Sequence, residues 1–288
     1  MRAISSFIIF SFLFGVCVYA PVNAQSDTTK KALESVKESV TTLINAKDEE
    51  NPNDIAFRIE TFKKVIDFSI AEAKDLKIKL FGIDTKKVGT STVAWKNGVM
   101  KDIDEALEYY DSEKNFIKEG EASLTLIEVK TRAESFKEWR ESKYAPTADE
   151  INTYFLIEQQ KQALETTKKR TEKIHLDIEK LKKAKIKTSG LEKLFSKVDP
   201  MIKDAEELNN RADLLFYKTK ILPQPPKEEV INETTTNEII NTTTSTVVSE
   251  IEKNPELSIK DLVKESFAKV KNIYQIFIDM SGLVRKLL

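Results

Sequence analysis

Residues 147–187 read TADEINTYFLIEQQKQALETTKKRTEKIHLDIEKLKKAKIK, the longest uninterrupted helical pattern in the chain. This stretch holds no glycine or proline, and it opens on Thr147-Ala148-Asp149-Glu150, which has the form of a capping box. About forty residues of α-helix make a rod of roughly 60 Å. A helix of that length usually pairs with a second helix along an apolar seam, as in a coiled coil. We therefore expect a partner helix close by in the sequence.

The partner helix is predicted directly after a turn at Thr188-Ser189-Gly190. From Leu191 to Leu215, apolar residues recur at steps of three and four and line one helix face. Asp199-Pro200 interrupts this segment, so the helix should kink or restart there. The two segments together predict a long antiparallel helical hairpin over residues 147–220.

The chain before this hairpin is also helical in pattern. Seven glycines and eight prolines in 288 residues are too few for the tight turns of a sandwich or barrel. We predict an all-α fold, an elongated bundle of about seven helices that forms one domain over residues 25–220. The periodic segments before the hairpin are 27–47, 53–82, 93–120 and 124–139, the last ending before Ala145-Pro146.

The first 24 residues have the composition of a cleavable export signal. Arg2 gives a positive start, residues 4–19 are apolar, and Val22-Asn23-Ala24 fits the small-residue cleavage pattern. The apolar run is too short to span a bilayer, and no second run of spanning length follows. Cleavage after Ala24 would remove Cys17, the only cysteine, so we expect a fold held by core packing without disulfides. The sequence predicts a secreted, extracellular protein without a transmembrane segment.

The composition changes after the hairpin. Residues 221–256 are rich in Pro, Thr and Asn, which predicts a flexible linker. Two N-glycosylation sequons lie in this segment, at Asn232 and Asn241, and both are predicted glycosylation sites. Residues 257–288 give a last amphipathic helix with a broad apolar face. We expect this helix to dock on the bundle, with docking on another chain as the alternative.

The sequence offers little catalytic chemistry. His175 is the only histidine, so the mature chain can form neither a Cys–His pair nor a histidine-rich zinc site. A Ser-His-Asp triad would need His175 as its base, yet that residue lies in a Lys/Glu-rich helix and the chain has no nucleophile elbow. We predict a protein that is not an enzyme and has no catalytic residue, cofactor or metal. Catalysis or metal binding by carboxylates alone is the open alternative.

The charges balance overall but not locally. With 46 basic and 47 acidic residues, the chain lacks the net basic character of a nucleic-acid binder, so we predict no nucleic-acid partner. Between residues 161 and 187, however, ten Lys or Arg face four acids. This face can attract heparan sulfate, an anionic lipid surface or an acidic protein. Alternatively, it is a solvated face whose charge is offset by the acidic stretch 102–121. The candidate partner-binding residues are Lys168, Lys169, Arg170, Lys173, Lys180, Lys182 and Lys183.

Aromatic residues cluster around Pro146. Such a cluster is either a hot spot for a partner or the plug where two helices meet. We favour the plug, because large aromatic side chains at helical spacing are usually core. The residues are Phe136, Trp139, Tyr144, Tyr154 and Phe155.

In overall build, the chain resembles the secreted 34 kDa-type salivary proteins of Aedes-like mosquitoes. Three features carry this resemblance: the signal ending Val22-Asn23-Ala24-Gln25, the helix end Phe136-Lys137-Glu138-Trp139-Arg140 before Pro146, and the Thr/Asn tract before a terminal helix. The resemblance implies a protein that is delivered with saliva and acts by binding. Such families are associated with blood feeding, through host haemostasis or immune cells or through the insect's own mouthpart proteins. It supplies no motif from which functional residues carry over.

We therefore predict a secreted, non-enzymatic binding protein, a salivary effector that aids blood feeding by engaging a host or mouthpart protein. The alternative is a lipid carrier of the haemolymph type, since such carriers are built from amphipathic helices. Large aromatics and the long hairpin favour a fixed core over helices that open onto lipid.

Overall fold

The computed structural model describes residues 26–48, 54–222 and 257–287. Within these ranges the chain is a bundle of α-helices without a β-strand, which confirms the all-α prediction. None of the described helices is both long and apolar enough to cross a membrane. The predicted signal peptide, both sequons and nearly all of the predicted linker lie outside these ranges. The helices are α1 Asp27–Asp48, α2 Asp54–Phe81, α3 Thr90–Gly120, α4 Leu126–Trp139, α5 Ala145–Lys183, α6 Ser189–Phe195, α7 Val198–Phe216 and α8 Ile259–Leu287.

Two π-helical turns extend these helices. Arg140–Tyr144 joins α4 to α5, and Tyr217–Ile221 follows α7. The chain forms two compact units, which divide between Asn152 and Thr153, inside α5. The domain boundaries expected from the sequence, with one domain over 25–220, stay predictions.

In the first unit, α1 and α2 pack side by side in opposite directions. Thr29 at the start of α1 donates a hydrogen bond to the carbonyl of Ala71 late in α2, at 3.3 Å. Thr61 early in α2 donates to the carbonyl of Ser39 late in α1, at 3.4 Å. Between them lie apolar side chains at helical spacing, which explains why this pair forms. Buried residues of α1 and α2 include Val36, Val40, Leu43, Ile59, Phe62, Ile66 and Ala73.

The same unit adds α3 and α4 by antiparallel packing. Lys114 of α3 forms an ion pair with Asp67 of α2, at 2.7 Å. Glu113 of α3 accepts a hydrogen bond from Arg132 of α4, at 2.7 Å. The helices enclose large side chains that are almost fully buried, among them Phe68, Ile103, Tyr110, Ile117, Phe136 and Ile151.

In the second unit, α5 forms the predicted hairpin with α6 and α7. Near the turn, Lys182 pairs with Glu192 of α6, at 3.0 Å. Further from the turn, Lys168 pairs with Glu206 of α7. The order along one segment is reversed along the other, so the two segments run antiparallel. The fold therefore contains the long helical hairpin that the sequence predicts.

The terminal helix α8 packs against both arms of this hairpin. Ser266 donates to the carbonyl of Ala205 on α7, at 2.6 Å, and accepts from Gln160 on α5, at 2.6 Å. Lys269 forms an ion pair with Asp204, at 3.0 Å. Three small apolar clusters fill the space between α8 and the hairpin: Leu164, Ala205 and Val270; Ile178, Leu191 and Met280; and Val198, Ile202 and Ile273.

The predicted interruption at Asp199-Pro200 is confirmed as a restart. Helix α6 ends at Phe195 and α7 begins at Val198, which places Pro200 in the first turn of α7. A proline there removes no helical hydrogen bond, because the first N–H groups of a helix have no partner within it.

Helix α4 ends at Trp139, as predicted, but the expected break in the helical backbone before Ala145-Pro146 is wrong. The chain stays helical from α4 through the π-helical turn into α5, and the Ala145 N–H bonds to the carbonyl of Arg140, five residues earlier. Pro146 has no N–H to give, so one α-helical hydrogen bond is lost here in any case, and a wider turn costs little. Arg140 and Tyr144 both point into the core from this turn, and their packing keeps the helix going.

The predicted capping box at Thr147–Glu150 is also wrong. Both side chains reach sideways to α3 instead: Thr147 donates to Asp102 at 3.4 Å, and Glu150 accepts from the Trp95 indole at 2.6 Å. A complete capping box forms at the start of α4, between Thr125 and Glu128.

Candidate functional site

The basic face of α5 divides into residues that turn toward the bundle and residues that turn away. Lys168 pairs with Glu206 of α7 and with Glu165 of its own helix. The hydrogen bond to Glu206 raises the pKa of Lys168. The guanidinium of Arg170 lies over the ring of Tyr274 on α8, 5.1 Å from its centroid. These two candidate residues are therefore occupied in holding α5 to its neighbours.

Lys182 is occupied in the same way. It pairs with Glu179 at 2.8 Å and with Glu192 of α6 at 3.0 Å. The hydrogen bond to Glu179, with that to Glu192, raises the pKa of Lys182. Of the seven candidates, Lys168, Arg170 and Lys182 thus serve contacts within the second unit.

The remaining four candidates form one line on the solvent side of α5. Lys169, Lys173, Lys180 and Lys183 are exposed, and Leu176 stands in the same line with 58% of its surface exposed. Steps of four, three, four and three residues place all five on one helix face. We call these five residues the α5 stripe. Lys169, Lys173 and Lys183 form no ion pair with any residue that the structure describes.

The four acids of this region stand beside the stripe and not within it. Glu165 and Glu179 are paired with lysines that face α6 and α7. Glu172 lies in the same row as Glu179, at a step of seven residues. Asp177 binds Lys180 at 2.8 Å, an exposed pair on the edge of the stripe. The line itself carries no carboxylate.

The acidic stretch 102–121 finds basic partners in the first unit. Asp104 pairs with Lys77, and Glu121 pairs with Lys63 at 2.6 Å. With Glu113, which pairs with Arg132, three of the eight acids in this stretch form ion pairs with neighbouring helices.

The aromatic cluster around Pro146 is interior packing, as we favoured. Phe136 and Tyr144 are at most 2% exposed, and the Trp139 ring stacks on Tyr109 with centroids 4.1 Å apart. Tyr154 belongs to the second unit, where its ring lies against Phe216. Phe136 and Tyr144 therefore fill the core of the first unit, whereas Trp139, Tyr154 and Phe155 are half-buried and pack against neighbouring rings.

Sequence reasoning missed a buried ionic cluster in the first unit. Arg140, on the π-helical turn, forms an ion pair with Glu72 of α2. It also donates to the hydroxyls of Ser69 at 3.0 Å and Tyr110 at 3.4 Å. Its guanidinium lies 4.8 Å from the ring of Tyr144. None of these five residues is more than 6% exposed.

The environment fixes the charge states in this cluster. Burial by itself lowers the pKa of Arg140, but the Glu72 carboxylate and the two tyrosines together raise it above its ordinary value. Burial, followed by the negative charge of Glu72, raises the pKa of Tyr144 well above its ordinary value. The Tyr144 hydroxyl makes no hydrogen bond of normal geometry to the described residues. The arginine stays charged, the tyrosines stay neutral, and no reactive group is exposed.

One signal in the sequence points to this cluster. Ser69 and Glu72 occupy the apolar face of α2, at steps of four and seven residues from Val65. A charged residue within such a stripe is rarely buried unless it is paired. The pattern indicates a buried partner for Glu72, although it does not indicate which residue.

The second unit carries a buried polar layer of its own. Gln160, Asn209 and Ser266 are at most 3% exposed, on α5, α7 and α8. Gln160 donates to Ser266, but Gln160 Oε1 and Asn209 Oδ1 accept no hydrogen bond from the described residues. Polar groups at mid-core favour one alignment of the helices over others.

The last two results concern metal binding and similarity to known proteins. Nowhere in ranges 26–48, 54–222 and 257–287 do three His, Cys, Asp or Glu side chains come together as metal ligands would. The chain matches no protein-family model, no curated protein and no solved structure.

Proposed function

We propose that this protein is a secreted, non-enzymatic binding protein that contacts its partner through the α5 stripe. The proposal rests on one observation: the basic face of α5 divides into residues that contact the bundle and lysines that face solvent. Lysines that face the bundle have carboxylate partners. Lys169, Lys173 and Lys183 lie in line on an exposed helix face, and none of them pairs with a carboxylate of the residues that the structure describes. Unpaired charges of one sign on a rigid element attract and orient an oppositely charged partner.

The physiological role follows from the export signal and from the resemblance to mosquito salivary proteins. Both support a salivary effector that aids blood feeding by engaging a host or mouthpart protein. A binding role also agrees with the Arg140 cluster, which is closed to solvent and holds no group poised to react.

A lipid carrier is less well supported, because its helices must leave the bundle to expose their apolar faces. Opening the first unit would break the Arg140–Glu72 ion pair, and opening the second would break the Gln160–Ser266 hydrogen bond. Each opening gives up an interaction that is made inside the folded unit, so both interactions oppose it.

Comparative capture tests the proposal. The mature chain, residues 25–288, is immobilised beside a stripe variant, K169Q/K173Q/K180Q/K183Q, and both are exposed to host plasma and to mouthpart extract. We expect one discrete partner on the wild-type chain and its loss from the stripe variant.

A matched control removes four exposed lysines that do not lie together, K31Q/K86Q/K118Q/K203Q, with the same change in net charge. This control should retain the partner. Equal capture by the wild-type chain and the stripe variant would contradict the proposal. Clearance of neutral phosphatidylcholine vesicles by the wild-type chain would favour the lipid carrier.

A further inference from the structure

The α5 stripe is a single file of positive charge on a convex ridge. From Lys169 to Lys183 it extends about 21 Å along the helix axis, with a lysine at each position except the central Leu176. Arg170 and Asp177 flank the line on the side of α8, while Glu172 flanks it on the side of α7. The ridge thus presents four lysines at steps of four, seven and three residues, of which Lys180 is paired with Asp177.

Direct contact with the polypeptide surface of a partner protein fits this arrangement poorly. The cores of protein interfaces are depleted in lysine, and their hot spots are mostly Trp, Tyr and Arg. Leu176 is the one exposed apolar residue in the stripe, and flexible lysines surround it. An anionic membrane fits poorly as well, because a helix that lies in a membrane needs a broad apolar face.

A linear polyanion fits the ridge better. Its repeated negative groups can follow the line of lysines lengthwise, and each contact releases condensed counterions without needing a pocket. We propose that the α5 stripe binds the chains of a sulfated polysaccharide of the heparan sulfate type. This inference rests on the proposed function and names its ligand: outside cells such chains are carried on proteins, so a host protein can present them.

Binding to heparin provides the test. The mature chain, the stripe variant K169Q/K173Q/K180Q/K183Q and the dispersed control K31Q/K86Q/K118Q/K203Q are titrated with size-defined heparin at increasing NaCl. We expect affinity to fall steadily with salt for the wild-type chain. The stripe variant should lose about tenfold or more in affinity at every salt concentration, while the control stays within about twofold. Circular dichroism and thermal unfolding establish that all three are folded.

Further probes separate the ligand classes. Desulfated heparin should bind at least about tenfold more weakly than heparin, and a polyglutamate peptide should not compete. No binding to heparin, or equal losses in the stripe variant and the control, would overturn the inference.

Binding to polyglutamate that is stronger than binding to heparin would also overturn the inference, and it would indicate that the stripe binds an acidic protein. Stronger binding to phosphatidylserine vesicles would overturn it as well, and it would indicate an anionic membrane. In that case the proposed function still stands, provided that partner capture depends on the stripe. If heparin binds through the stripe but partner capture is unchanged in the stripe variant, the inference stands and the proposed protein contact fails.

Discussion

At the scale of single residues, the Arg140–Glu72 ion pair has the largest predicted effect on stability. Arg140→Met leaves the Glu72 carboxylate buried without a cation, which should lower the free energy of unfolding by about 3–5 kcal/mol. Lys114→Met is the matched control, since it removes one half of the exposed Lys114–Asp67 pair and should cost less than about 1 kcal/mol. Urea denaturation measures both. If the two variants were equally stable, the buried pair would have no special role.

Removing the hydroxyl group should have opposite effects on protein stability at two tyrosines of this cluster. Tyr110 accepts a hydrogen bond from Arg140, so Tyr110→Phe should cost about 1 kcal/mol. The Tyr144 hydroxyl is buried without a good hydrogen bond, so Tyr144→Phe should be neutral or stabilising by up to about 1 kcal/mol. Denaturant midpoints of the two variants give the comparison. The reverse order of stability would show that Tyr144, and not Tyr110, is the hydrogen-bonded partner.

The polar layer of the second unit allows a similar comparison. Ser266→Ala leaves the amide of Gln160 without its acceptor and should cost about 1–3 kcal/mol. Gln160→Met should cost less, because Ser266 keeps its bond to the Ala205 carbonyl. In a double-mutant cycle, the second change should recover part of the loss caused by the first. Additive losses would mean that the Gln160–Ser266 bond contributes nothing.

At the scale of helices, the π-helical turn aligns the faces of α4 and α5. Inserting one alanine after Ser142, an exposed residue of this turn, would rotate one helix against the other by about 100° and shift it by about 1.5 Å, because the wide turn already holds one extra residue. Phe136 and Ile151 could then no longer face the same core. We expect the first unit to lose cooperative unfolding, as measured by near-ultraviolet circular dichroism during thermal denaturation. Ser142→Ala is the control and should change stability by less than about 0.5 kcal/mol.

The helices themselves could be predicted from the sequence, but some of their ends could not. Apolar residues at steps of three and four set the segments, and Pro200 marked a real restart. Thr125–Glu128 and Thr147–Glu150 have the same spacing, yet only the first forms a capping box. Local spacing cannot distinguish them, because the second pair is drawn to Asp102 and Trp95 on α3.

At the scale of the whole molecule, the all-α fold was predictable and the details of the site were only partly so. The sequence located the basic face of α5, but a one-dimensional pattern does not show which lysines meet carboxylates. That division depends on Glu192 and Glu206, which reach α5 only once the hairpin has formed. The Arg140–Glu72 pair joins residues 68 positions apart, and only the tertiary fold brings them together.

Buried and half-buried tyrosines in both units should limit stability at high pH. Burial is the main cause that raises the pKa of Tyr109 and of Tyr154 to about 12, and burial raises that of Tyr110 further. In the unfolded chain these groups ionise near pH 10. Above that pH the unfolded state releases protons that the folded state keeps, so stability falls as the pH rises from about 10 to 12 and is unaffected below about 9.

Tyrosinate absorbance recorded together with circular dichroism tests this expectation. Ionisation of Tyr109, Tyr110 and Tyr154 should coincide with loss of helix. Full ionisation near pH 10 with the helices intact would show that these rings are open to solvent.

The single-file arrangement of lysines on α5 has a practical consequence for handling the protein. With a sequence pI of about 6.2, the chain is slightly anionic at neutral pH. On net charge alone, it would not bind to a negatively charged sulfonate resin. Retention on an ion exchanger depends on the local density of charge that meets the resin, and Lys169 to Lys183 supply such a density on one edge. Purification can therefore use a cation exchanger above the isoelectric point.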